Sequence, residues 1–178
     1  RGGLTQIDVS QNPSLKVLRC DNNSLEQIDV SHNTALRELH CRNNKLSALD
    51  VSGRKELEEL LCDNNRLKRL QTADCPSLSL MNCSMNQLEA LDLQGCPSLR
   101  WLNCAENQLT KLDASPALGL EQLYCNDNRL ASLDVLRNGA LHQLYCGHNR
   151  LDSIDLSRNT ALTDLDCGNN RLTRLDVS

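Results

Sequence analysis

The chain has 178 residues and a net charge of −4, from 19 basic and 23 acidic residues that are interspersed along it. There is no basic stripe for phosphate binding, and no apolar run approaches the roughly 18 residues of a membrane span, so we expect neither a nucleic-acid partner nor membrane insertion. Phe is absent and the only aromatic residues are Trp101, Tyr124 and Tyr145, so the core has to be built from Leu, Ile, Val and Cys in small layers.

A 21-residue repeat organises the whole chain. Residues 1–11 carry the tail of one repeat, and eight further units of 21 residues follow over residues 12–178. Position 1 of these units is occupied, in chain order, by Asn12, Asn33, Arg54, Cys75, Cys96, Ala117, Asn138 and Asn159. The sequence therefore predicts a single array over residues 1–178, in which units bury their apolar faces by stacking on one another.

Five columns define each unit: Leu at position 4, Leu or once Met at position 7, Cys at position 9, Asn at position 12 and Leu at position 14. Positions 7 and 9 are predicted to point inward from a short strand, and positions 6, 8 and 10 outward. We expect one strand per unit, centred on the Cys and parallel to its neighbours. The rest of the unit is too short for a long helix, so short extended segments are predicted on the return side.

The segment from Leu15 to Leu25 reads Leu-Lys-Val-Leu-Arg-Cys-Asp-Asn-Asn-Ser-Leu, which is similar to the signature of leucine-rich-repeat proteins with Cys in place of the third Leu. The second half of the unit, as at Leu46 to Ser52, repeats this Leu spacing, and the nested form resembles the 21-residue bacterial class called IRREKO. The resemblance implies a solenoid with a parallel sheet on its concave face. Segments such as Asp29 to Leu36 look like those of surface or secreted proteins of Bacteroidetes-type bacteria, which implies a secreted or cell-surface location.

Two Asn columns are interpreted as structural. The position-12 Asn lies where the chain leaves the strand, and its amide can satisfy backbone groups that the turn buries. The Asn at position 1 is expected to do the same on the other side of the unit. Arg54, Cys75, Cys96 and Ala117 are expected to break that second ladder.

The Cys column is predicted to be buried core. Thiols on adjacent parallel strands lie about 5 Å apart at Cβ, whereas a disulfide needs about 3.5–4.5 Å. Cys ligands along a line do not converge on one point, so no zinc site is expected. Cys75 and Cys96 occupy equivalent loop positions one unit apart, and a bond between them is left open.

An Asp column at position 18 raises the alternative of a calcium-binding edge. Each Asp stands among apolar residues and most are followed at the second position by Ser, which favours local hydrogen bonds to the backbone instead. We find no catalytic set, phosphate loop or metal-ligand spacing. The sequence therefore predicts no enzyme, no metal site and no cofactor.

Function is predicted to lie in the outward strand positions, which do not repeat. Position 6 holds Val17, Glu38, Glu59, Leu80, Trp101, Gln122, Gln143 and Asp164. Position 8 holds Arg19, His40, Leu61, Asn82, Asn103, Tyr124, Tyr145 and Asp166. All three aromatic residues fall in these columns, and such residues anchor many interfaces. The predicted ligand-binding residues are Leu61, Leu80, Trp101, Asn103, Gln122, Tyr124, Gln143 and Tyr145.

Two functions remain open at this point. One is a non-catalytic module that recognises a protein, peptide or glycan on the concave face. The other is a structural or spacer array within a larger adhesin, enzyme or filament, continuing end to end into flanking domains; in that case the outward aromatic residues carry no function.

Overall fold

The computed structural model describes residues 3–175, and all regular elements among them are short strands. The ten strands have the bounds Val17–Arg19 (β1), Glu38–His40 (β2), Ala48–Asp50 (β3), Glu59–Leu61 (β4), Arg69–Gln71 (β5), Leu80–Asn82 (β6), Trp101–Asn103 (β7), Gln122–Tyr124 (β8), Gln143–Tyr145 (β9) and Asp164–Asp166 (β10). Eight strands form one parallel sheet in the order β1-β2-β4-β6-β7-β8-β9-β10. This sheet, with one strand from each unit, confirms the predicted solenoid.

The return side of the solenoid is extended, as predicted. β3 and β5 pair there as a separate two-stranded parallel sheet, and Asp113 and Asp134 form an isolated parallel bridge further along. Residues 3–175 contain no helix, so none of them belongs to a helix that could cross a membrane.

Each strand residue of the main sheet pairs with the residue 21 positions later, as Val17 does with Glu38. The strands are centred on position 7, such as Leu18, and not on position 9. The predicted centring on Cys is therefore wrong by two residues. The chain begins to turn at position 9, although the Cys20 N–H still donates to the His40 carbonyl at 2.8 Å.

The core consists of the Leu and Cys columns of successive units, stacked on one another. In the inner units these side chains are fully buried, as at Leu78, Met81 and Cys83. Leu15 and Leu162, in the outermost described units, are only partly buried. Burial therefore comes from the neighbouring units rather than from any unit alone.

The position-12 Asn column closes the turn after each strand and also joins successive units. At Asn107 the amide nitrogen donates to the carbonyls of Cys83, Cys104 and Ala105 at 3.0–3.2 Å. Its amide oxygen accepts the N–H of Leu88 at 2.9 Å. Cys83 and Leu88 belong to the preceding unit, so one side chain satisfies buried backbone groups on both sides of the junction between units. The predicted structural role of this column is confirmed.

Replacing Asn107 with Ala should lower the free energy of unfolding by roughly 1–3 kcal/mol, because buried backbone groups lose their partner. The matched control is Gln108→Ala, which leaves the backbone hydrogen bond from Gln108 N to the Leu88 carbonyl in place. Chemical denaturation followed by circular dichroism measures both. An unchanged midpoint for Asn107→Ala would contradict the bridging role.

A second ladder runs along position 1, where a side chain donates to the carbonyl 24 residues earlier. Asn33, Asn138 and Asn159 make this bond at 2.9–3.1 Å. Each also donates to the carbonyl of the preceding position-1 residue at 2.7–2.9 Å. The position-1 amide therefore satisfies backbone carbonyls of the return segment. The position-12 Asn does the same for the turn after the strand.

The prediction that four residues break this second ladder is wrong for three of them. The substitute donors are Arg54 Nη1, Cys75 Sγ and Cys96 Sγ, which lie 2.7, 3.1 and 3.7 Å from the carbonyls of Val30, Val51 and Thr72. A guanidinium or a thiol supplies the donor that the carbonyl needs, whereas Ala117 has none. Both Cys75 and Cys96 are free thiols, so the disulfide left open by the sequence is not formed.

The residue at position 11 has a left-handed backbone in every unit, a feature that the sequence analysis did not predict. Its φ lies between 53° and 58°, both at Asn64 and at residues that disfavour this region, such as Met85 and Glu106. Asn adopts left-handed φ far more readily than Met or Glu. The units that contain Met85 and Glu106 therefore carry backbone strain.

The change Met85→Asn should raise the free energy of unfolding by about 0.5–1 kcal/mol, because Asn relieves part of the cost of a left-handed backbone. The Met85 side chain is 46% exposed, so little packing is lost. The reverse change, Asn64→Met, should lower stability in the same denaturation experiment. If backbone strain is the cause, the two variants must change the free energy of unfolding in opposite directions.

The cysteines are free, and all except the half-buried Cys167 are buried. Burial raises the pKa of Cys20 to about 11 and that of Cys146 to about 12. It also raises the pKa of inner thiols such as Cys83 well above the ordinary value. The prediction that the column is core is confirmed.

A maleimide reagent should label Cys167 first in the native protein and the other column thiols only after unfolding. A thiol with a pKa near 11 is only about one part in a thousand thiolate at pH 8, and its burial also blocks access. Raising the pH from 7 to 9 should therefore add little native labelling of the inner thiols. Mass spectrometry of tryptic peptides locates the labels, and rapid native labelling of most cysteines would contradict a thiol core.

Candidate functional site

The outward side chains of the main sheet form two rows across the strands, because successive strands pair without any slip. The position-6 row runs through Leu80, Trp101, Gln122, Gln143 and Asp164. The position-8 row runs through Asn82, Asn103, Tyr124, Tyr145 and Asp166. We call the surface formed by these two rows over all eight strands the sheet face.

Three aromatic rings form one cluster on the sheet face. The Tyr124 and Tyr145 rings are stacked, with centroids 5.0 Å apart and planes 20° from parallel. Trp101 lies on the other side of Tyr124, with ring centroids 5.6 Å apart at 45°. All three residues are half-buried. Each contact between two rings contributes about 0.5–1.5 kcal/mol of stabilisation beyond that from buried area. The rings are therefore held in one arrangement before any ligand binds.

Amide groups hold the middle of the cluster in place. The Tyr124 hydroxyl donates to Gln143 Oε1 at 2.6 Å and lies 3.4 Å from Gln122 Oε1. Asn103 Oδ1 accepts the N–H of Ala105 at 3.0 Å, so its oxygen is already used. Partial burial, together with the charges of Tyr145 and Asp164, raises the pKa of Tyr124. Tyr124 is therefore a neutral donor at physiological pH, positioned by its neighbours.

The N-terminal half of the sheet face is charged but internally paired. Within the two rows, Arg19 lies 2.8 Å from Glu38 and His40 lies 3.1 Å from Glu59. Beside these rows, at position 10, Arg42 lies 3.9 Å from both Asp21 and Asp63. Desolvation raises the pKa of Asp63, which Arg42 opposes. The solvent-accessible Arg19–Glu38 pair contributes about 0–1 kcal/mol to stability. Together these contacts leave few acidic groups of the N-terminal strands without a nitrogen partner.

Most of the predicted binding residues are brought together. Seven of the eight are half-buried side chains of the sheet face, in β6 to β9: Leu80, Trp101, Asn103, Gln122, Tyr124, Gln143 and Tyr145. Leu61 is the exception, because its outward position is only 8% exposed. Its neighbours across the sheet are His40 and Asn82. The expectation that Leu61 offers an exposed apolar surface is therefore wrong.

Two residues of the sheet face, Asp164 and Asp166, were not among the predicted ligand-binding residues. Asp164 and Asp166 are exposed and lie beside Gln143 and Tyr145 in the register of β10. The signal for them was present in the sequence, since they are the last members of the same two columns and have no basic residue beside them there.

The Asp column on the return side is used locally. Asp8, Asp29 and Asp113 each accept the N–H of the residue two positions on, at 2.8–2.9 Å. Hydrogen bonds from Ser10, Ser31 and Ser115, respectively, lower the pKa of these three carboxyls. Within residues 3–175, no group of three or more His, Cys, Asp and Glu residues is arranged to hold a metal ion.

A hollow on the return side is the other concave feature of interest. It is lined by Ile28, Asp29, Ser31, Asp50, Ser52 and Arg54. Arg54 already donates to the carbonyls of Val30 and Ser31. Its guanidinium thus serves the backbone, and the sheet face is the better candidate site.

Solved structures that share this architecture include bacterial leucine-rich-repeat proteins. The functional domain of InlJ from Listeria monocytogenes, described as including a cysteine ladder, is 38% identical with a TM-score of 0.95 over 98% of this chain. YopM from Yersinia enterocolitica is 33% identical with a TM-score of 0.80 over 90% of the chain. A leucine-rich-repeat protein of Leptospira interrogans is 24% identical with a TM-score of 0.90 over 98%.

This chain spans 39%, 34% and 48% of those three proteins, respectively, and so less than half of each. No protein-family model matches the sequence, and no curated protein matches it. The chain therefore has the leucine-rich-repeat fold, which it shares with these bacterial leucine-rich-repeat proteins.

Proposed function

We propose that the sheet face, which corresponds to the concave face of leucine-rich-repeat solenoids, binds a protein or peptide partner. The observation that carries this proposal is the cluster of Trp101, Tyr124 and Tyr145, whose rings contact one another and are half-buried on the sheet face. Nothing in the core requires aromatic rings, because the rest of the array is built without them. A ligand on the sheet face would explain their position.

Preorganisation supports this function. Rings that already stack lose little conformational freedom when a ligand covers them, and Trp and Tyr supply a large contact area with few rotatable bonds. The strands are about 4.8 Å apart, so the cluster spans the width of three units. A ligand that lies across the strands would contact Leu80 first, then the rings, and then Gln143.

A glycan is the alternative ligand for the same surface, since rings and amides such as Gln122 and Asn103 can also stack on and hydrogen-bond to sugars. A different role is that of a spacer within a longer protein; it is supported by the fact that the chain spans less than half of each of the similar leucine-rich-repeat proteins. Under this role the sheet face would have no ligand.

The narrower assignments belong to the proposal as well. The nested second half of each unit supports membership of the 21-residue bacterial IRREKO class. Resemblance to surface or secreted proteins supports a location outside the cell, and the similar structures from Listeria, Yersinia and Leptospira agree with a bacterial source.

The test is capture of partners by the wild-type protein and by a variant with Trp101, Tyr124 and Tyr145 all changed to Ala. The variant should keep its fold, because these side chains point away from the core, but it should lose about 2 kcal/mol or more of binding free energy. Immobilised protein is exposed to extract from the native environment, and bound material is identified by mass spectrometry. Circular dichroism checks that the variant is folded.

Two control variants test whether the loss is specific to the sheet face. Leu118→Ala removes an exposed apolar side chain outside both rows, and Asp113→Ala removes a charge from the return side. Both should capture the same partners as the wild type. Equal recovery of every partner by the triple variant would refute the proposal and favour the spacer role.

A further inference from the structure

Charge is distributed unevenly along the sheet face. In its N-terminal half, Glu38 lies 2.8 Å from Arg19 and Glu59 lies 3.1 Å from His40. Just before β7 and β8, Arg100 pairs with Glu121. Among residues 3–175, no such contact is found for Asp164 or Asp166, although both are exposed. Within residues 3–175, Asp164 and Asp166 are therefore acidic groups of the sheet face without a basic partner.

The two carboxylates are held in position without being neutralised. Asp164 Oδ2 accepts a hydrogen bond from Gln143 Nε2 at 3.3 Å, and Asp166 Oδ1 accepts the N–H of Gly168 at 2.9 Å. Gly147 leaves room for the Asp166 carboxylate, since a Cβ there would lie 3.1 Å from both of its oxygens. These contacts orient the oxygens and leave their charge available.

The carboxylates are continuous with the aromatic cluster. Asp166 pairs with Tyr145 across β9 and β10, and Asp164 pairs with Gln143. Tyr145 in turn stacks on Tyr124. Ring faces attract cations, and carboxylates next to a ring reinforce this attraction. A guanidinium can do both at once, because it stacks on a ring and forms paired hydrogen bonds with a carboxylate.

We propose that the partner presents a basic segment to the sheet face, with an Arg or Lys side chain that lies against the ring of Tyr145 and pairs with Asp166 or Asp164. This inference rests on the proposed function and names the chemistry of its partner. The charges of Asp164 and Asp166 then determine which partner sequence binds and how it is oriented on the sheet face. The N-terminal half of the sheet face, where acidic side chains contact Arg19 and His40, contributes contact area. An acidic segment is repelled by Asp164 and Asp166.

The test uses the single Trp101 as an intrinsic fluorescent reporter within the site. Three capped peptides of equal length, alternating Tyr with Arg, Gln or Glu, are titrated into the wild-type protein at low and high salt. The Arg peptide should bind at least about tenfold more tightly than the Glu peptide at low salt. This preference should shrink at high salt, because exposed charges are screened.

The deciding variant is Asp164→Asn with Asp166→Asn, which removes both charges but keeps an oxygen to accept the Gly168 N–H. Its matched control is Asp113→Asn with Asp134→Asn, since these carboxylates accept the same type of backbone hydrogen bond from Ser115 and Leu136. Both double variants change the net charge equally. The first should abolish most of the preference for the Arg peptide, and the control should keep it.

The outcomes separate this inference from the proposed function. Equal affinities for the three peptides, no binding of any peptide, or an equal loss in both double variants would overturn the basic-segment inference. Tighter binding of a neutral hexasaccharide than of the Arg peptide, unaffected by salt, would overturn it in favour of a glycan. The proposed function fails only if the triple aromatic variant captures every partner as the wild type does.

Discussion

Each junction between units buries backbone groups that no strand partner can reach, and the amide of the position-12 Asn satisfies them. Asn107 shows how: the side chain donates within its own turn and across the junction, and it accepts the N–H of Leu88 in the unit before. Asn provides two donors and an acceptor on a short side chain. Because unsatisfied buried groups are costly, this column has no exception in the eight units.

A fixed junction also determines the surface. When every unit is joined to the next through the same atoms, the strands pair at a constant offset of 21 residues, and outward positions fall into straight rows. The interior columns are then constrained by packing, while most residues at positions 6 and 8 lie outside the core and differ between units. Chemistry placed in those two columns is presented on a rigid frame, which lowers the entropic cost of binding.

Periodicity predicted the parts of the structure that depend on which residues face inward: the sheet, the core columns and the Asn bridges. The left-handed backbone at position 11 was missed because Met85 and Glu106 hide the signal that Asn gives in the same column. The members of the column with Asn are Asn22, Asn43, Asn64 and Asn169. The sequence pattern also predicted that Arg54 and Cys75 interrupt the position-1 ladder. Residue identity alone does not show that both side chains can donate to the equivalent backbone carbonyl, as Asn does. For the site, the columns located the rings, but the burial of Leu61 depends on side-chain packing across strands.

The location of the candidate site near the C-terminal end follows from how charge is arranged on this frame. Along the N-terminal strands the outward residues contact one another, as Arg19 contacts Glu38 from the neighbouring strand, so a ligand would have to break existing pairs. Along β7 to β9 the three aromatic rings contact one another. On β10, the carboxylates of Asp164 and Asp166 have no basic partner among the described residues. Because outward residues of neighbouring strands are in register, Arg19 and His40 contact acidic residues of the next strand. In the same register, Asp166 lies beside Tyr145.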